Sequence, residues 1–267
     1  MLKCVVVGAA GRMGQRVIHT INTTQDVKLV GAVETPTHPA IGEDAGDIVG
    51  LGKTDIQIKC ELDEVVHLGD VIIDFTNHTA SLNHLNVAAQ SKKPMVIGST
   101  GFSIEEMEEV KVLCKSCRCV LSPNMSVGVN LMFKVIEDIS KVLGDDYDIE
   151  VVEAHHRFKK DSPSGTAMKA CQIIAQTLER DLDDVGVYGR RGILGERTGR
   201  EIGIHAIRAG DIVGDHTIIF GGLGERLEIT HRAHSREGFA RGAVKAAKWI
   251  VNQEDGLYDM QDVLGLR

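Results

Sequence analysis

Within six consecutive residues the chain places His155, His156, Arg157, Lys159 and Lys160, side chains that can move a proton or hold an anion. The whole sequence carries a formal net charge of −8, so this basic segment stands out against an acidic chain. Imidazole titrates near neutral pH, and a lysine ammonium can donate a proton or anchor a carboxylate. Adjacent histidines point different ways, so His155 and His156 need not share a role. Asp161-Ser-Pro-Ser-Gly-Thr166 follows and has the composition of a helix start, with Ser162 expected as the N-cap and Pro163 in the first helical position. Gly165 and Thr166 would then turn backbone N–H groups toward a carboxylate or phosphate. The competing reading is a solvated basic loop ahead of a capped helix. The double histidine together with a glycine-bearing helix start argues against it.

A second group lies at the N-terminus. Gly8-Ala9-Ala10-Gly11-Arg12-Met13-Gly14 is a G-x-x-G-x-x-G run, directly after an apolar strand and opening a helical pattern. Small residues there let the backbone approach a pyrophosphate, while the helix start supplies N–H donors. The middle spacing differs from the usual dinucleotide fingerprint. However, Glu34 ends the second strand-like run, 20 residues after Gly14, where a carboxylate would accept hydrogen bonds from ribose hydroxyls. A carboxylate repels the 2′-phosphate of NADPH, the next residue is Thr35, and the nearest fixed cation is Arg12. NADH is therefore the expected cofactor, with NADPH as a second. In open α/β sheets ligands bind beyond the carboxyl ends of strands. Three such ends are candidates: Phe75-Thr76-Asn77, Gly98-Ser99-Thr100-Gly101, and Ser122-Pro123-Asn124-Met125. The last two would edge the nicotinamide.

The elements that must position these groups follow from hydrophobic patterning. Apolar runs at Leu2–Val7, Val27–Val33, Asp55–Cys60, Val71–Phe75, Pro94–Ile97 and Cys119–Leu121 alternate with helical patterns. These helices lie over Met13–Ile21, Ala80–Ser91 and Ser103–Leu113. Strand–helix alternation implies right-handed crossovers and a parallel sheet of Rossmann type. After Ser122-Pro-Asn-Met-Ser-Val-Gly-Val-Asn130 the pattern changes. A helix is expected over 130–143, a strand over 147–154 and a helix over 165–180. The Gly- and Arg-rich stretch 186–203 reads as a long loop. Strands follow at 202–208, 217–220 and 226–232, and the last helix spans 237–251. Leu227, Ile229 and His231 alternate with Glu228 and Thr230, the signature of a half-exposed sheet. The fold class is thus α/β, a dinucleotide-binding domain joined to an α+β substrate domain with an open mixed sheet. An open face of this kind points to self-association.

Composition removes several function classes. Acidic charge argues against nucleic-acid binding, and aromatics at 4% leave few stacking surfaces. No run reaches the ~20 apolar residues of a membrane span, and the chain enters its first strand without a leader-like segment, so a cytoplasmic location is expected. Six cysteines fit a reducing compartment. Cys114, Cys117 and Cys119 lack a fourth ligand at zinc spacing and are read as thiols, with no metal.

GAAGRMG, GSTGF, SPNMSVGVN, EAHHRFKKDSPSGTA and the long run HAIRAGDIVGDHTIIFGGLGERLEITHRAHSREGFARGAVKAA together resemble the dihydrodipicolinate reductase family. The resemblance covers nearly the whole chain, and the HHRFKKDSPSGT segment is its most specific part. It implies a reductase acting on a small cyclic imine dicarboxylate of lysine and diaminopimelate biosynthesis, with NADH or NADPH as hydride source. It implies a dinucleotide domain of residues 1–126, completed by 236–267, around a substrate domain of 127–235, and a homotetramer joined through the open sheets. His155 matches the proton donor/acceptor position and Lys159 the proton-donating lysine. His156, Gly165 and Thr166 match substrate-binding positions. Gly8 to Met13, Glu34, Gly98 to Thr100 and Ser122 to Met125 match cofactor-binding stretches. Thr35 replaces an Arg found in some members, Met125 an aromatic that it can replace by packing on the nicotinamide, and Ser162 a common Ala. Two rivals are a related two-domain reductase acting on a carbonyl and a nucleotide-sensing regulator. The double-His and PSGT loop argues against the first, and the lack of a DNA-binding module against the second.

Overall fold

The computed structural model describes all 267 residues. In chain order the elements are β1 (Leu2–Val7), α1 (Arg12–Thr23), β2 (Val27–Val33), β3 (Ile58–Lys59), β4 (Val71–Asp74), α2 (His78–Gln90), β5 (Met95–Ile97), α3 (Ile104–Leu113) and β6 (Arg118–Leu121). Then come α4 (Val127–Leu143), β7 (Asp148–His155), α5 (Gly165–Thr177), α6 (Leu182–Val185), β8 (Gly186–Tyr188), β9 (Ile202–Arg208), β10 (Gly214–Gly221) and β11 (Arg226–Ala233). The chain ends with α7 (Glu237–Ile250), β12 (Gly256–Tyr258) and α8 (Met260–Leu264). Two compact units result, Met1–Val127 with Arg236–Arg267, and Gly128–Ser235.

The first unit is built on a seven-stranded sheet in the order β12-β6-β5-β4-β1-β2-β3. Every pairing is parallel. Its central strands are apolar on both faces because helices cover both faces. On one side Val17, Ile18 and Ile21 of α1 pack with Ala240, Ala243, Val244 and Ala247 of α7. On the other, Leu85 and Ala88 of α2 pack with Val110 of α3 and with Met95 and Ile97. The small residues of α7 let it lie close against the sheet, so the C-terminal segment returns to close a core begun at the N-terminus.

The second unit is a mixed five-stranded sheet, β11-β10-β7-β9-β8, with β7, β9 and β8 parallel to one another and β10 and β11 antiparallel. Val129, Met132, Phe133 and Ile136 of α4 and Ala170, Cys171 and Ile174 of α5 cover one face of it. Along β7 that covered face is Ile149, Val151, Glu153 and His155. Two apolar residues are followed by two ionisable ones, because a strand returns to the same face every second residue. The exposed side chains of this unit include Ile207 at 48% and Leu227 at 44%, large apolar groups left in water by a chain that has otherwise buried its core.

Several boundaries differ from the pattern-based reading. β3 holds only Ile58 and Lys59 of the 55–60 run. The stretch 186–203 is not all loop, since its first three residues form β8 beside β9. β12 and α8 have no counterpart in the patterning, being too short for either period to register.

Candidate active site

The glycine loop runs from the end of β1 into α1. Gly8 sits at φ 72°, the left-handed region that side chains avoid. A Cβ on Gly14 would overlap the carbonyl oxygen of Gly8, so only glycine lets the helix start so close to the strand end. Glu34, at the end of β2, reaches across. Its carboxylate accepts the Ala10 N–H at 3.0 Å and the Thr35 N–H at 2.9 Å. Gly8, Gly11, Glu34, Thr35, Thr76 and His84 line one cleft of about 610 Å³ within this unit, a size suited to a cofactor. The expected partners Gly8, Gly11 and Glu34 are therefore brought together, and a glycine loop with a carboxylate at the cleft wall fits a dinucleotide.

The other two strand ends behave differently from each other. Ser99 is buried, and its Oγ lies 2.7 Å from Ser81 Oγ, which is 3.2 Å from Thr76 Oγ1. Thr76 in turn donates from N and Oγ1 to the wholly buried Asp74 carboxylate, both at 2.7 Å. His84 Nδ1 lies 2.8 Å from the other Asp74 oxygen. This chain of polar groups ties the Phe75–Asn77 loop to the Gly98–Thr100 loop. Ser122 Oγ donates to Asn124 O at 3.0 Å and shapes the 122–125 turn. Met125 corrects an expectation. Its side chain is 1% exposed and packs in the core with α7, so it has no free surface to lay on a nicotinamide.

In the second unit, β7 ends in the paired side chains of Glu153 and His155. Glu153 Oε2 lies 2.6 Å from His155 Nδ1. Arg208 Nη1 and Nη2 each donate to one Glu153 oxygen at 2.8 Å, and the Ser164 N–H donates to Oε1 at 2.9 Å. Strand register explains the meeting. His155 is paired with Arg208 on β9, and Glu153 with His216 on β10. The His155 and His216 rings meet edge to face with centroids 5.2 Å apart. His216 Nε2 lies 3.0 Å from Ser164 Oγ, while its Nδ1 is buried without a partner.

Charges set the protonation states here. Burial pushes Glu153 up, but the Arg208, His155 and Ser164 hydrogen bonds outweigh it and hold its carboxyl below the ordinary value. Burial lowers the His155 imidazole, the Glu153 carboxylate offsets part of that, and the Lys159 and Arg208 charges add to the lowering. Burial, helped by neighbouring His155, takes His216 down to about 4. Both rings are thus neutral at neutral pH, and His155 keeps Nε2 for a ligand.

Lys159 follows on the loop, its Nζ 2.9 Å from Asp161 Oδ2 and its side chain 21% exposed. His156 is half-buried, and its Nδ1 lacks a partner. The helix cap differs from expectation. Ser164, not Ser162, is the N-cap of α5, and its Oγ accepts the Ala167 N–H at 3.2 Å. Pro163 therefore lies before the cap, outside the helix, and the Ser162–Pro163 peptide is cis. Gly165 and Thr166 are the first residues of α5, as a carboxylate-binding helix start requires. Glu153, Ser164, Arg208 and His216 were missed as functional residues. Period-2 spacing from His155 could have found Glu153, but Arg208 and His216 lie more than fifty residues away and enter only through register. The three clustered cysteines are buried, and burial pushes the Cys117 thiol up to about 12. No three His, Cys, Asp or Glu side chains cluster as metal ligands would.

Residues 2–125 match the family model for the N-terminus of dihydrodipicolinate reductase, and residues 128–264 match that for its C-terminus. The 4-hydroxy-tetrahydrodipicolinate reductase of Syntrophus aciditrophicus is 57% identical over 267 residues, all of both chains. That of Geotalea uraniireducens is 55% identical over the same span. Among solved structures, a dipicolinate-bound dihydrodipicolinate reductase from Paenisporosarcina sp. TG-14 superposes with a TM-score of 0.77 at 23% identity, covering 98% of each chain. An amine dehydrogenase from Mycobacterium smegmatis reaches 0.61 at 14% identity, over 96% of this chain and 94% of that one. These two likenesses establish the shared fold.

Proposed function

Because the chain belongs to the dihydrodipicolinate reductase family, we propose how its own residues carry out that family's reaction. The chain is an oxidoreductase that reduces 4-hydroxy-tetrahydrodipicolinate, a cyclic imine dicarboxylate, using a pyridine nucleotide. When bound, the dihydronicotinamide supplies the hydride, and the protein supplies orientation and charge. Gly8 to Met13 hold the pyrophosphate and Glu34 the adenosine ribose. Ser99 and the backbone of the 98–100 and 122–125 loops edge the nicotinamide half. With Thr35 beside Glu34, NADH serves at least as well as NADPH.

The 4-hydroxyl group leaves with a neighbouring ring proton as water, which makes the ring conjugated; addition of hydride then leaves an electron-rich enamine, whose ring carbon must gain a proton. Lys159 donates that proton. Its pairing with Asp161 fixes where the ammonium sits, and a positioned acid of this kind accelerates a step by about 10²–10⁴. His155, neutral with Nε2 free of protein partners, accepts the ring proton lost in that dehydration and relays it to the departing hydroxyl group. The N-terminal turn of α5, at Gly165 and Thr166, binds one carboxylate, and His156 contributes a second polar contact. The observation that carries this reading is the ionisable end of the β7 core face, which sets His155 beside the loop bearing Lys159.

Dipicolinate, which is bound in the structure of the Paenisporosarcina relative, is a stable planar probe. Calorimetric titration into the NADH-loaded protein should show one site per chain, weakened several-fold by Thr166→Val. Equal affinity of the variant and the wild type would remove the Thr166 hydroxyl from the substrate site.

A further inference from the structure

We propose that Glu153 is a positioning residue that fixes His155 as the tautomer protonated on Nδ1, leaving the Nε2 lone pair as the proton acceptor. The inference rests on the role of His155 at the substrate given above. A carboxylate that is ionised can only accept. With Glu153 Oε2 at 2.6 Å, the shared proton must therefore sit on His155 Nδ1. Glu153 is itself immobile. It is fully buried, held by both Arg208 Nη atoms and by the Ser164 N–H. Its second oxygen is saturated by donors, so the carboxylate cannot rotate away from the imidazole.

This arrangement divides the work between the two candidate acids. A neutral His155 with its proton on Nδ1 has nothing to donate from Nε2. Lys159 must then supply the proton to ring carbon after hydride addition, and His155 receives the ring proton released as water is lost. The charged and titratable groups that act on the ring come from each element around it: Glu153 on its own strand, Arg208 on β9, His216 on β10 and Lys159 on the following loop. Arg208 and Glu153 act on His155 with opposite sign. The carboxylate favours the imidazolium and the guanidinium opposes it.

Two substitutions should therefore shift the titration of His155 in opposite directions. In Glu153→Gln the carbonyl oxygen stays with Arg208 Nη2 and the Ser164 N–H, so the amide NH₂ replaces the oxygen that His155 shares with Arg208 Nη1 and makes Nδ1 an acceptor. The ring should switch to the Nε2-protonated tautomer, and kcat should fall by roughly 10²-fold or more, as for a base held in the wrong tautomer. The acid limb of kcat/KM, identified by its loss in His155→Asn, should move to lower pH. In Arg208→Met the carboxylate acts unopposed, and the limb should move to higher pH. A merely structural role would move both limbs together or neither. The tautomer is read without turnover, from the ¹⁵N-histidine spectrum of the whole wild-type protein with His155→Asn for assignment. An Nδ1-protonated neutral ring supports the inference, and an Nε2-protonated one overturns it whether or not the protein turns over. If Glu153→Gln does not fold, the wild-type tautomer and the Arg208→Met shift still decide. A limb that Arg208→Met leaves in place, or moves to lower pH, overturns the proposal.

Discussion

At the scale of single residues, Lys159 and Thr166 separate chemistry from binding. Lys159→Ala removes the proposed acid, and kcat should fall by about 10²–10⁴. KM should move much less, because the α5 start still meets the carboxylate. Thr166→Val should do the reverse, raising KM with a smaller effect on kcat. A Lys159→Ala enzyme with unchanged kcat and raised KM would make Lys159 an anchor. His216 ties the same site to stability. Its folded-state pKa of about 4 lies below the ordinary value of 6.5, so the unfolded chain binds a proton that the folded chain refuses. Stability is complete above the unfolded value and declines as pH falls from there toward 4, by roughly 2 kcal/mol at about pH 5. Urea denaturation at both pH values should show a smaller decline for His216→Gln, whose amide can still meet Ser164. An identical decline in variant and wild type would contradict this. Of these residues, the basic loop was readable from its composition alone. Met125 was not, because whether a side chain at a strand end faces the cofactor or the core depends on α7, more than a hundred residues away.

At the scale of elements, the strand–turn–helix unit of β1 and α1 depends on backbone contact. Gly14→Ala would force a methyl group into the Gly8 carbonyl. It should cost at least about 1–3 kcal/mol, the usual range for overpacking, and weaken NADH binding by displacing the loop. Gly238→Ala in α7 meets open space and should be neutral or stabilising by up to about 1 kcal/mol. Thermal melts and NADH fluorescence titrations check both, and a Gly14→Ala protein that binds NADH normally would refute the tight-turn argument. The parallel sheet could be read from the sequence because buried strands are nearly continuous apolar runs separated by helical periods. β8 and β12 could not, since three residues show no period and both strands exist through their neighbours, β9 and β6. The α5 cap was misplaced by two residues for a related reason. Ser162 and Ser164 are equally good caps locally, and the choice falls to Ser164 because its N–H and Oγ also meet Glu153 and His216.

At the scale of the whole molecule, the apolar side chains left exposed on the second unit, with Ile207 and Leu227 among them, call for a partner surface. We propose a homotetramer, and sedimentation equilibrium should give a species four times 29.0 kDa. A monomer at micromolar concentration would contradict it. The C-terminal return of α7 into the first unit was expected only through family resemblance, because nothing in a local window links Arg236–Arg267 to the first strand. What the assembled protein does is tested most directly by one measurement, the oxidation of NADH and of NADPH with freshly prepared 4-hydroxy-tetrahydrodipicolinate. Both should be consumed only when substrate is present, with kcat/KM for NADH at least equal to that for NADPH. A tenfold preference for NADPH, about 1.4 kcal/mol, would overturn the reading of Glu34 and Thr35. Absence of any substrate-dependent oxidation with either nucleotide would contradict the account as a whole.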